Sequence, residues 1–325
     1  MPGLSNDQLE LFERGGYLLI EGVMDPTGIL DPLVAEYAEV LDMLATELHS
    51  TGRISETFSE LSFSDRFIRI EQETNETNAQ FFDFSLPQGG ITHDTPMWLG
   101  KAVFEALVHP PLLDIVESVI GPEIYSNPVQ HIRIKSPERR GAKDPLTGES
   151  KMGATNWHQD NGVVLPIADN TDMLTVWFSL DDAGIEHGCL QVLPGSHKAG
   201  LFTHCPAGPG GLEIPARVAS RDRAMSIPTR RGDALLLHKR MVHASLSNTS
   251  DRIRWSLDLR YNPIGQETGR GVFPGFVARS RRDPNSEVRS PEGWASSWHR
   301  ARAQLADAAE GGPFHRWSAD APACA

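Results

Sequence analysis

From about residue 124 onward, the chain consists of short β-like runs separated by turn-forming segments. The runs are Ile124–Lys135, Met173–Leu180, Cys189–Leu193, Asp233–His238 and Arg252–Tyr261. The pieces between them are rich in Gly, Pro, Ser and Asp, and the spacing is that expected of a β-sandwich or barrel. We therefore predict a mainly β fold for this part of the chain.

The first 120 residues are predicted to be mostly helical. Tyr17–Ile20 has the character of a strand, whereas Asp25-Pro26 combines a capping residue with a proline suited to a first helical turn. Apolar residues recur at helical spacing after this pair and again over 112–120. The stretch 71–100 shows no period, so we predict a loop there.

The overall charge argues against a nucleic-acid partner. Thirty basic and 43 acidic side chains give a net charge of −13. A surface that neutralises phosphates needs clustered Lys and Arg, which this composition does not favour. With 39% hydrophobic and 22% charged residues, the chain can nevertheless bury a sizeable core, which excludes a disordered protein.

Cysteine usage and the absence of an apolar leader predict a cytoplasmic protein. Cys189, Cys205 and Cys324 are too few for a disulfide framework, and none forms a C-x-x-C pair. We therefore expect a reducing compartment. The N-terminus lacks the pattern of a secretory signal, and no stretch approaches the ~18 apolar residues of a membrane helix. No membrane partner is expected.

One segment carries a metal-ligand pattern. His158 and Asp160 are two residues apart, so in an extended chain their side chains point the same way and can bind one ion, while Gln159 turns aside. Taken alone, the pair is equally consistent with a polar loop.

His243, just after a predicted strand, completes a possible ligand set. Two imidazoles and one carboxylate form the facial triad that suits non-haem Fe(II) and leaves positions open for oxygen and a co-substrate. Such a site would keep a positive charge and would attract an anionic chelator. His238 is an alternative third ligand.

The last predicted strand has two distinct faces. Arg252, Arg254, Ser256, Asp258 and Arg260 alternate with five apolar residues. By default the polar face would meet water, because charged side chains are mostly exposed. In a barrel with a polar lumen, Arg254 would instead point inward and clamp a carboxylate through its rigid fork.

Four segments of the chain occur together in an informative order. They are His158-Gln-Asp160, Gly188-Cys-Leu-Gln-Val-Leu-Pro-Gly-Ser-His197, His243-Ala-Ser245 and Arg254. Over roughly residues 10–262, the chain resembles the phytanoyl-CoA dioxygenase family of Fe(II)/2-oxoglutarate oxygenases, which includes ectoine hydroxylase.

The resemblance implies a role for individual residues. His158, Asp160 and His243 match the iron ligands, which are also the catalytic residues. Arg254 matches the residue that pairs with the distal carboxylate of 2-oxoglutarate, and Ser245 matches its hydroxyl helper. Further 2-oxoglutarate contacts implied by the resemblance are Trp177, Lys135, Gln130 and Ile132, the last two sharing one pocket-facing side.

The resemblance also implies the fold and the domain organisation. The fold is a double-stranded β-helix, a cupin-like jelly roll with flanking helices. We expect one decorated domain over 1–325, with a mostly helical support at 1–123, a jelly-roll core at 124–262 and a C-terminal extension at 263–325.

The implied activity is hydroxylation of an unactivated carbon of a small metabolite, using Fe(II), 2-oxoglutarate and O2 and releasing succinate and CO2. Desaturation, epoxidation and ring closure stay open. Halogenation is disfavoured, because halogenating relatives lack the carboxylate that Asp160 supplies. The alternatives are a cupin-type metalloenzyme that does not use 2-oxoglutarate and a catalytically silent β-barrel binding protein.

Candidate substrate contacts lie in loops and in the C-terminal extension. They are Phe84, Trp98, Gln159, His187 and Trp294. Loops often carry specificity, although each of these residues has an alternative as packing. No basic cluster suited to the phosphates of coenzyme A is visible, so we expect a free small metabolite rather than an acyl-CoA.

Overall fold

The computed structural model describes residues 3–207, 211–308 and 316–324. Its centre is a pair of facing antiparallel sheets. The larger sheet has six strands and the smaller has four. Chain neighbours are seldom sheet neighbours, because the chain crosses repeatedly between the sheets. This topology is that of a double-stranded β-helix.

The strands are short except for two long ones in the larger sheet. They are β1 (Tyr17–Ile20), β2 (Glu123–Lys135), β3 (Thr155–His158), β4 (Leu174–Ser179), β5 (Leu190–Val192), β6 (Cys205–Ala207), β7 (Gly211–Glu213), β8 (Met225–Ile227), β9 (Ala234–His238), β10 (His243–Ser245), β11 (Arg254–Pro263) and β12 (Phe276–Ser280). The strand order is β1-β9-β4-β11-β2-β12 in the larger sheet and β3-β10-β5-β8 in the smaller, while β6 and β7 pair separately.

The helices cover one side of the larger sheet. They are α1 (Asn6–Gly15), α2 (Asp31–Ser50), α3 (Phe63–Thr74), α4 (Lys101–Leu107), α5 (Pro110–Ile120) and α6 (Pro291–Asp307). A π-helical turn at Pro26–Leu30, capped by Asp25, leads into α2. Helix α1 begins with a capping box in which Ser5 and Gln8 satisfy each other's backbone N–H groups.

The two faces of the larger sheet pack against different partners. Leu257 and Leu259 of β11 and Val176 of β4 point outward into the main hydrophobic core, which the helices close. Trp177 and Leu235 point the other way, into a smaller apolar cluster between the sheets. Because successive residues alternate between faces, the polar side of β11 is directed into the space between the sheets.

Several element boundaries differ from the prediction. Residues 71–74 belong to α3, so the predicted loop over 71–100 begins too early. The larger sheet includes β1 and β12, which lie on either side of the predicted 124–262 core. These edge strands complete the sheet, and their own sequences are too short to indicate what they pair with.

The sequence predicted no disulfide framework, yet the structure pairs two of the three cysteines. Cys205 and Cys324 form a disulfide across 119 residues of chain, while Cys189 is free and buried. The partners come together because the C-terminal segment returns to the β6 region, which spacing alone does not reveal. Within the described ranges, no helix has the length and apolar character needed to cross a membrane.

Candidate metal centre

The three predicted ligands converge at one end of the smaller sheet. His158 ends β3 and pairs in register with His243 at the start of β10. Asp160 begins the short 3-10 turn Asp160–Val163 just beyond β3. One ligand atom from each residue lies within 4.8 Å of the other two, a spacing that suits a single ion. The third-ligand alternative, His238, instead packs its ring 5.0 Å from that of His197.

Backbone carbonyls orient both imidazoles. Nδ1 of His158 lies 2.7 Å from the carbonyl oxygen of Asn156, and Nδ1 of His243 lies 3.0 Å from that of Met241. A carbonyl accepts only, so each Nδ1 carries a proton and Nε2 is the nitrogen left to bind a metal. This is the arrangement that metal-binding histidines use.

The carboxylate ligand is held by two side chains. The hydroxyl of Thr175 donates to Oδ2 of Asp160 at 2.6 Å, and the guanidinium of Arg260 donates to Oδ1. Both partners are buried. They fix the position of the carboxylate and hold it in its ionised form.

Local electrostatics keep the ligands ready for a cation. Burial and the neighbouring His243 lower the pKa of His158 to about 3, so its imidazole is neutral at physiological pH. Burial opposes ionisation of Asp160, but Arg260 and the two imidazoles outweigh it and hold the pKa of the carboxyl well below its ordinary value. The neutral imidazole of His158 and the Asp160 carboxylate therefore face the same point as the ring of His243.

The two ligand histidines open onto a cavity of about 510 Å³ between the sheets. Arg254 lines this cavity and is only 2% exposed. Its guanidinium lies 5.6 Å from the ring centroid of Trp177 and donates to Ser256, while its Nε has no hydrogen-bond partner among the described residues. Burial lowers the pKa of Arg254 to about 10, so it remains a cation at neutral pH. The inward-facing interpretation of this strand is therefore the one the structure supports.

Two further predicted residues lie beside Arg254. Nζ of Lys135 donates to Oγ of Ser245 at 2.6 Å and to the carbonyl of Leu246 at 2.8 Å. Lys135, Ser245 and Trp177 all line the cavity. Burial and the charge of Arg254 lower the pKa of Lys135 well below its usual range. The result is a buried basic end of the cavity, suited to an anionic group.

The assignment of Gln130 and Ile132 to this cavity is wrong. Ile132 belongs to the main hydrophobic core on the other face of the sheet, and neither residue lines the cavity. The residues of β2 that do line it are Val129, His131, Arg133 and Lys135. Alternation along the strand explains the difference. Residues an odd number of positions from Lys135 point to the opposite face of the sheet, away from the cavity.

The five candidate substrate contacts do not line the cavity either. Phe84 and Trp294 are fully buried in the main core, as large apolar rings generally are. Trp98 packs against the same core and donates its Nε1 to Glu36. Loop position and aromatic character indicate exposure to substrate, but these rings pack against the helices instead.

The other two candidates are occupied by local hydrogen bonds. The Gln159 amide donates to the carbonyls of Gly200 and Arg240 and accepts from the backbone of Phe202, which fixes the loop between the ligands. His187 accepts from the backbone N–H of Gly184 within its own turn. Neither side chain is directed at the metal centre.

Several residues of the site were not predicted from the sequence. Thr175 and Arg260 hold Asp160, although the sequence places Arg260 only on a polar face. Arg133 and Asp258 line the same cavity. The available signal was the two-residue period, which places Arg133 on the side of Lys135 and places Asp258 and Arg260 on the side of Arg254.

The C-terminal segment 316–324 covers the loop that carries Asp160. Nε1 of Trp317 donates to the carbonyl of Gly162 at 2.6 Å, and Arg316 forms an ion pair with Asp169 at 2.6 Å. Trp317 also stacks on His204. Nε2 of His204 accepts a hydrogen bond from the backbone N–H of Gln159, the residue between His158 and Asp160. The Cys205–Cys324 disulfide anchors the end of this segment.

The fold and the site together define a class of protein: a double-stranded β-helix with a two-histidine, one-carboxylate metal triad and a buried cationic cavity. The sequence profile of the phytanoyl-CoA dioxygenase (PhyH) family matches residues 12–256. The chain belongs to the phytanoyl-CoA dioxygenase family.

Curated relatives agree with this assignment. Phytanoyl-CoA dioxygenase domain-containing protein 1 of Bos taurus is 39% identical over 281 residues, covering 78% of this chain and 88% of that protein. L-proline trans-4-hydroxylase of Streptomyces griseoviridis is 26% identical over 188 residues, covering 52% of this chain and 65% of that enzyme.

Solved structures share the fold at low identity. The non-heme monooxygenase ThoJ in its nickel complex has a TM-score of 0.54 at 16% identity, covering 91% of this chain and 96% of that one. EvdO2 from Micromonospora carbonacea, complexed with 2-oxoglutarate, has a TM-score of 0.51 at 18% identity, covering 81% and 95%. These likenesses concern the fold.

Proposed function

We propose that this protein is an Fe(II)/2-oxoglutarate-dependent oxygenase that hydroxylates an unactivated carbon of a small metabolite. The observation that carries the proposal is one cavity lined both by the triad histidines and by a buried Arg254. Family membership and the 2-oxoglutarate complex of EvdO2 support it. Succinate and CO2 would be the co-products.

The residues present fit the implied iron. Nε2 of His158 and Nε2 of His243 are left available by the carbonyls that their Nδ1 atoms contact, and Asp160 is ionised. Three protein ligands of this kind suit Fe(II) and leave positions for other ligands. Bound iron with 2-oxoglutarate and O2 would supply the oxidising power, which belongs to the cofactor rather than the protein.

The residues present also fit 2-oxoglutarate. The unpartnered Nε of buried Arg254 indicates that this guanidinium lacks part of its hydrogen bonding without a ligand. A guanidinium matches a carboxylate bidentately, so Arg254 would hold the distal carboxylate, with the Ser245 hydroxyl beside it. Lys135 holds Oγ of Ser245 in place. The ring of Trp177, whose centroid lies 5.6 Å from the Arg254 guanidinium, would exclude water from this end of the cavity.

Hydroxylation is the reaction we assign. Asp160 would supply a carboxylate as the third protein ligand, the place that a halide takes in halogenating oxygenases, so halogenation is disfavoured. The L-proline trans-4-hydroxylase relative is a hydroxylase of a small molecule, and the cavity volume is in the range of small-molecule sites.

The decisive experiment measures succinate. Purified protein is incubated with Fe(II), ascorbate, O2 and 2-oxoglutarate, and succinate is quantified with and without candidate metabolites. We expect succinate from the native protein and none above background from His243→Ala. His299→Ala is the matched control, because His299 is an exposed residue of α6 remote from the triad.

A binding measurement separates metal loading from turnover. Mn(II) should raise the melting temperature of the native protein and of the His299→Ala variant, but not that of His243→Ala, because a ligand stabilises the state that binds it. Bound metal without succinate under any condition would refute the oxygenase assignment. Unimpaired activity of an Arg254→Ala variant would favour a metalloenzyme that does not use 2-oxoglutarate.

A further inference from the structure

The cavity is cationic although the protein is acidic. The chain has a net charge of −13, yet the described residues that line the cavity include six basic side chains and a single carboxylate, that of Asp258. The six are Arg133, Lys135, Lys151, Arg254, Arg260 and Arg270. Such a concentration of one sign of charge focuses the field on whatever enters.

Protein contacts account for most of these cations. Arg260 is paired with Asp160, Lys135 is bonded to Ser245, and Arg254 is assigned to 2-oxoglutarate by the proposed function, on which this inference rests. Lys151 donates to a backbone carbonyl, and so does Arg270.

Of the six cations, Arg133 has no such contact in the described part of the chain. It lies on β2 between His131 and Lys135, lines the cavity and is exposed. In the described ranges it makes no hydrogen bond or ion pair with another side chain. Its charge nevertheless acts on the cavity, since it contributes to lowering the pKa values of Lys135 and Arg254. The site therefore presents a free guanidinium at its solvent side.

Asp258 offers the complementary group on the neighbouring strand. Its Oδ1 is buried without a partner in the described part of the chain, while its Oδ2 lies 3.5 Å from Arg260. A buried carboxylate oxygen without a donor is costly, so a donor from a ligand would stabilise it. In register, Asp258 faces His131 and Ser256 faces Arg133, which makes Asp258 and Arg133 diagonal neighbours. Diagonal pairs lie roughly 7–8 Å apart.

We propose that Arg133 and Asp258 select the substrate: a small molecule that carries an anionic group for Arg133 and, a few bonds away, a hydrogen-bond donor for Asp258. Amino acids and hydroxy acids have this chemistry, and so do small hydroxylated phosphate esters. The cavity of about 510 Å³, which must also hold 2-oxoglutarate, limits the substrate to such small compounds.

The test uses matched sets of compounds. Each set contains an L-amino acid, the amine without its carboxylate and the acid without its amine; hydroxy acids and sugar phosphates form two further arms. Two readouts are taken: the melting-temperature shift of protein loaded with Mn(II) and 2-oxoglutarate, which needs no turnover, and the stimulation of succinate formation by the Fe(II) enzyme. We expect responses to compounds that carry both an anionic group and a hydrogen-bond donor. The hydroxy-acid and sugar-phosphate arms show whether the anionic group is a carboxylate or a phosphate.

Variants assign the response to the two residues. Arg133→Gln should raise the KM for the responding compound roughly 10- to 100-fold, as expected for loss of a charge-assisted hydrogen bond, and Arg133→Lys should recover part of it. Asp258→Asn should weaken the binding of ammonium compounds more than the binding of their amine-free counterparts. Arg139→Gln is the control, because Arg139 is also exposed but does not line the cavity.

The outcomes are distinguishable. A response to neutral or cationic compounds alone would overturn the selection by Arg133 and Asp258. So would the absence of a response to every anionic compound in both readouts. If Arg133→Gln weakens only the binding of the co-substrate, Arg133 belongs to the 2-oxoglutarate site and the proposal is overturned as well. Failure of the proposed function has a different signature: binding shifts without succinate from any mixture.

Discussion

Individual residues of this site are positioned by neighbours that sequence motifs do not mark. Asp160 is a predicted metal ligand, and the hydroxyl of Thr175 and the guanidinium of Arg260 fix its orientation. Groups that orient metal ligands typically change metal affinity or activity about 10- to 100-fold when removed.

Thr175→Val tests this role at nearly constant volume. The substitution removes the hydrogen bond to Oδ2 of Asp160, so we expect Mn(II) affinity to fall about 10-fold or more, measured by titration calorimetry. Thr229→Val is the matched control, because Thr229 is equally buried and its hydroxyl has no partner among the described residues. Equal affinities for the two variants would contradict an orienting role for Thr175.

Arg254→Lys tests the clamp for the distal carboxylate. Lysine keeps a positive charge but loses the planar fork, so we expect the KM for the co-substrate to rise about 10-fold or more, measured by succinate formation. Arg279→Lys changes a similarly buried arginine that pairs with Asp114 and Glu117 away from the cavity. A KM unchanged by Arg254→Lys would argue against the assignment.

At the scale of elements, β2 and β11 supply one continuous polar wall. They pair from Arg254↔Lys135 to Asp258↔His131, so the charged residues of both strands face the cavity. The opposite faces of the same strands belong to the main core. Because β11 is covered on both faces, Arg254 and Arg260 are buried, so solvent exposure was the wrong default for the arginines of this strand.

The C-terminal segment is the second element that decides the environment of the site. Trp317 and Arg316 contact the loop that carries Asp160, and the Cys205–Cys324 disulfide closes a separation of 119 residues. Because a disulfide chiefly restricts the unfolded chain, replacing both cysteines with serine should lower the free energy of unfolding by about 2–4 kcal/mol, measured by urea denaturation.

The native protein with a reducing agent should show the same loss, and the doubly substituted variant should not respond further. Cys189→Ser is the control for replacing a cysteine with serine, because Cys189 is buried and forms no disulfide. This variant should still lose stability on reduction, as the native protein does. A native protein that is indifferent to reduction would show that the disulfide does not contribute.

At the scale of the whole molecule, a half-buried histidine couples stability to pH. Burial and the neighbouring His197 lower the pKa of His238 to about 4, below the ~6.5 of an unfolded chain. As pH falls below 6.5, the unfolded state binds the proton first, so the contribution of His238 to stability is present above pH 6.5 and is lost toward pH 4.

We therefore expect the free energy of unfolding to decline more steeply in the native protein than in His238→Gln between pH 6.5 and pH 5. The difference should be about 1 kcal/mol, after allowance for the partial exposure of His238. Denaturation at a series of pH values measures it, with the exposed His299→Gln as control. Parallel curves for native and His238→Gln would contradict this coupling.

The sequence by itself determined the alternating strands, the capped helices and the residue types of the metal triad. These depend on local rules: the two-residue and 3.6-residue periods, capping chemistry and ligand spacing. The order of motifs was enough to indicate the family. The same period, applied from Lys135, also separates the cavity side of β2 from the core side.

Only the tertiary structure decided which polar residues share the cavity and which aromatic residues serve the core. Arg260 meets Asp160 across 100 residues of chain, and Cys324 meets Cys205 across 119. Phe84 and Trp294, in contrast, are buried away from the cavity. Contacts of this kind are set by how the sheets and helices pack, so no local pattern specifies them.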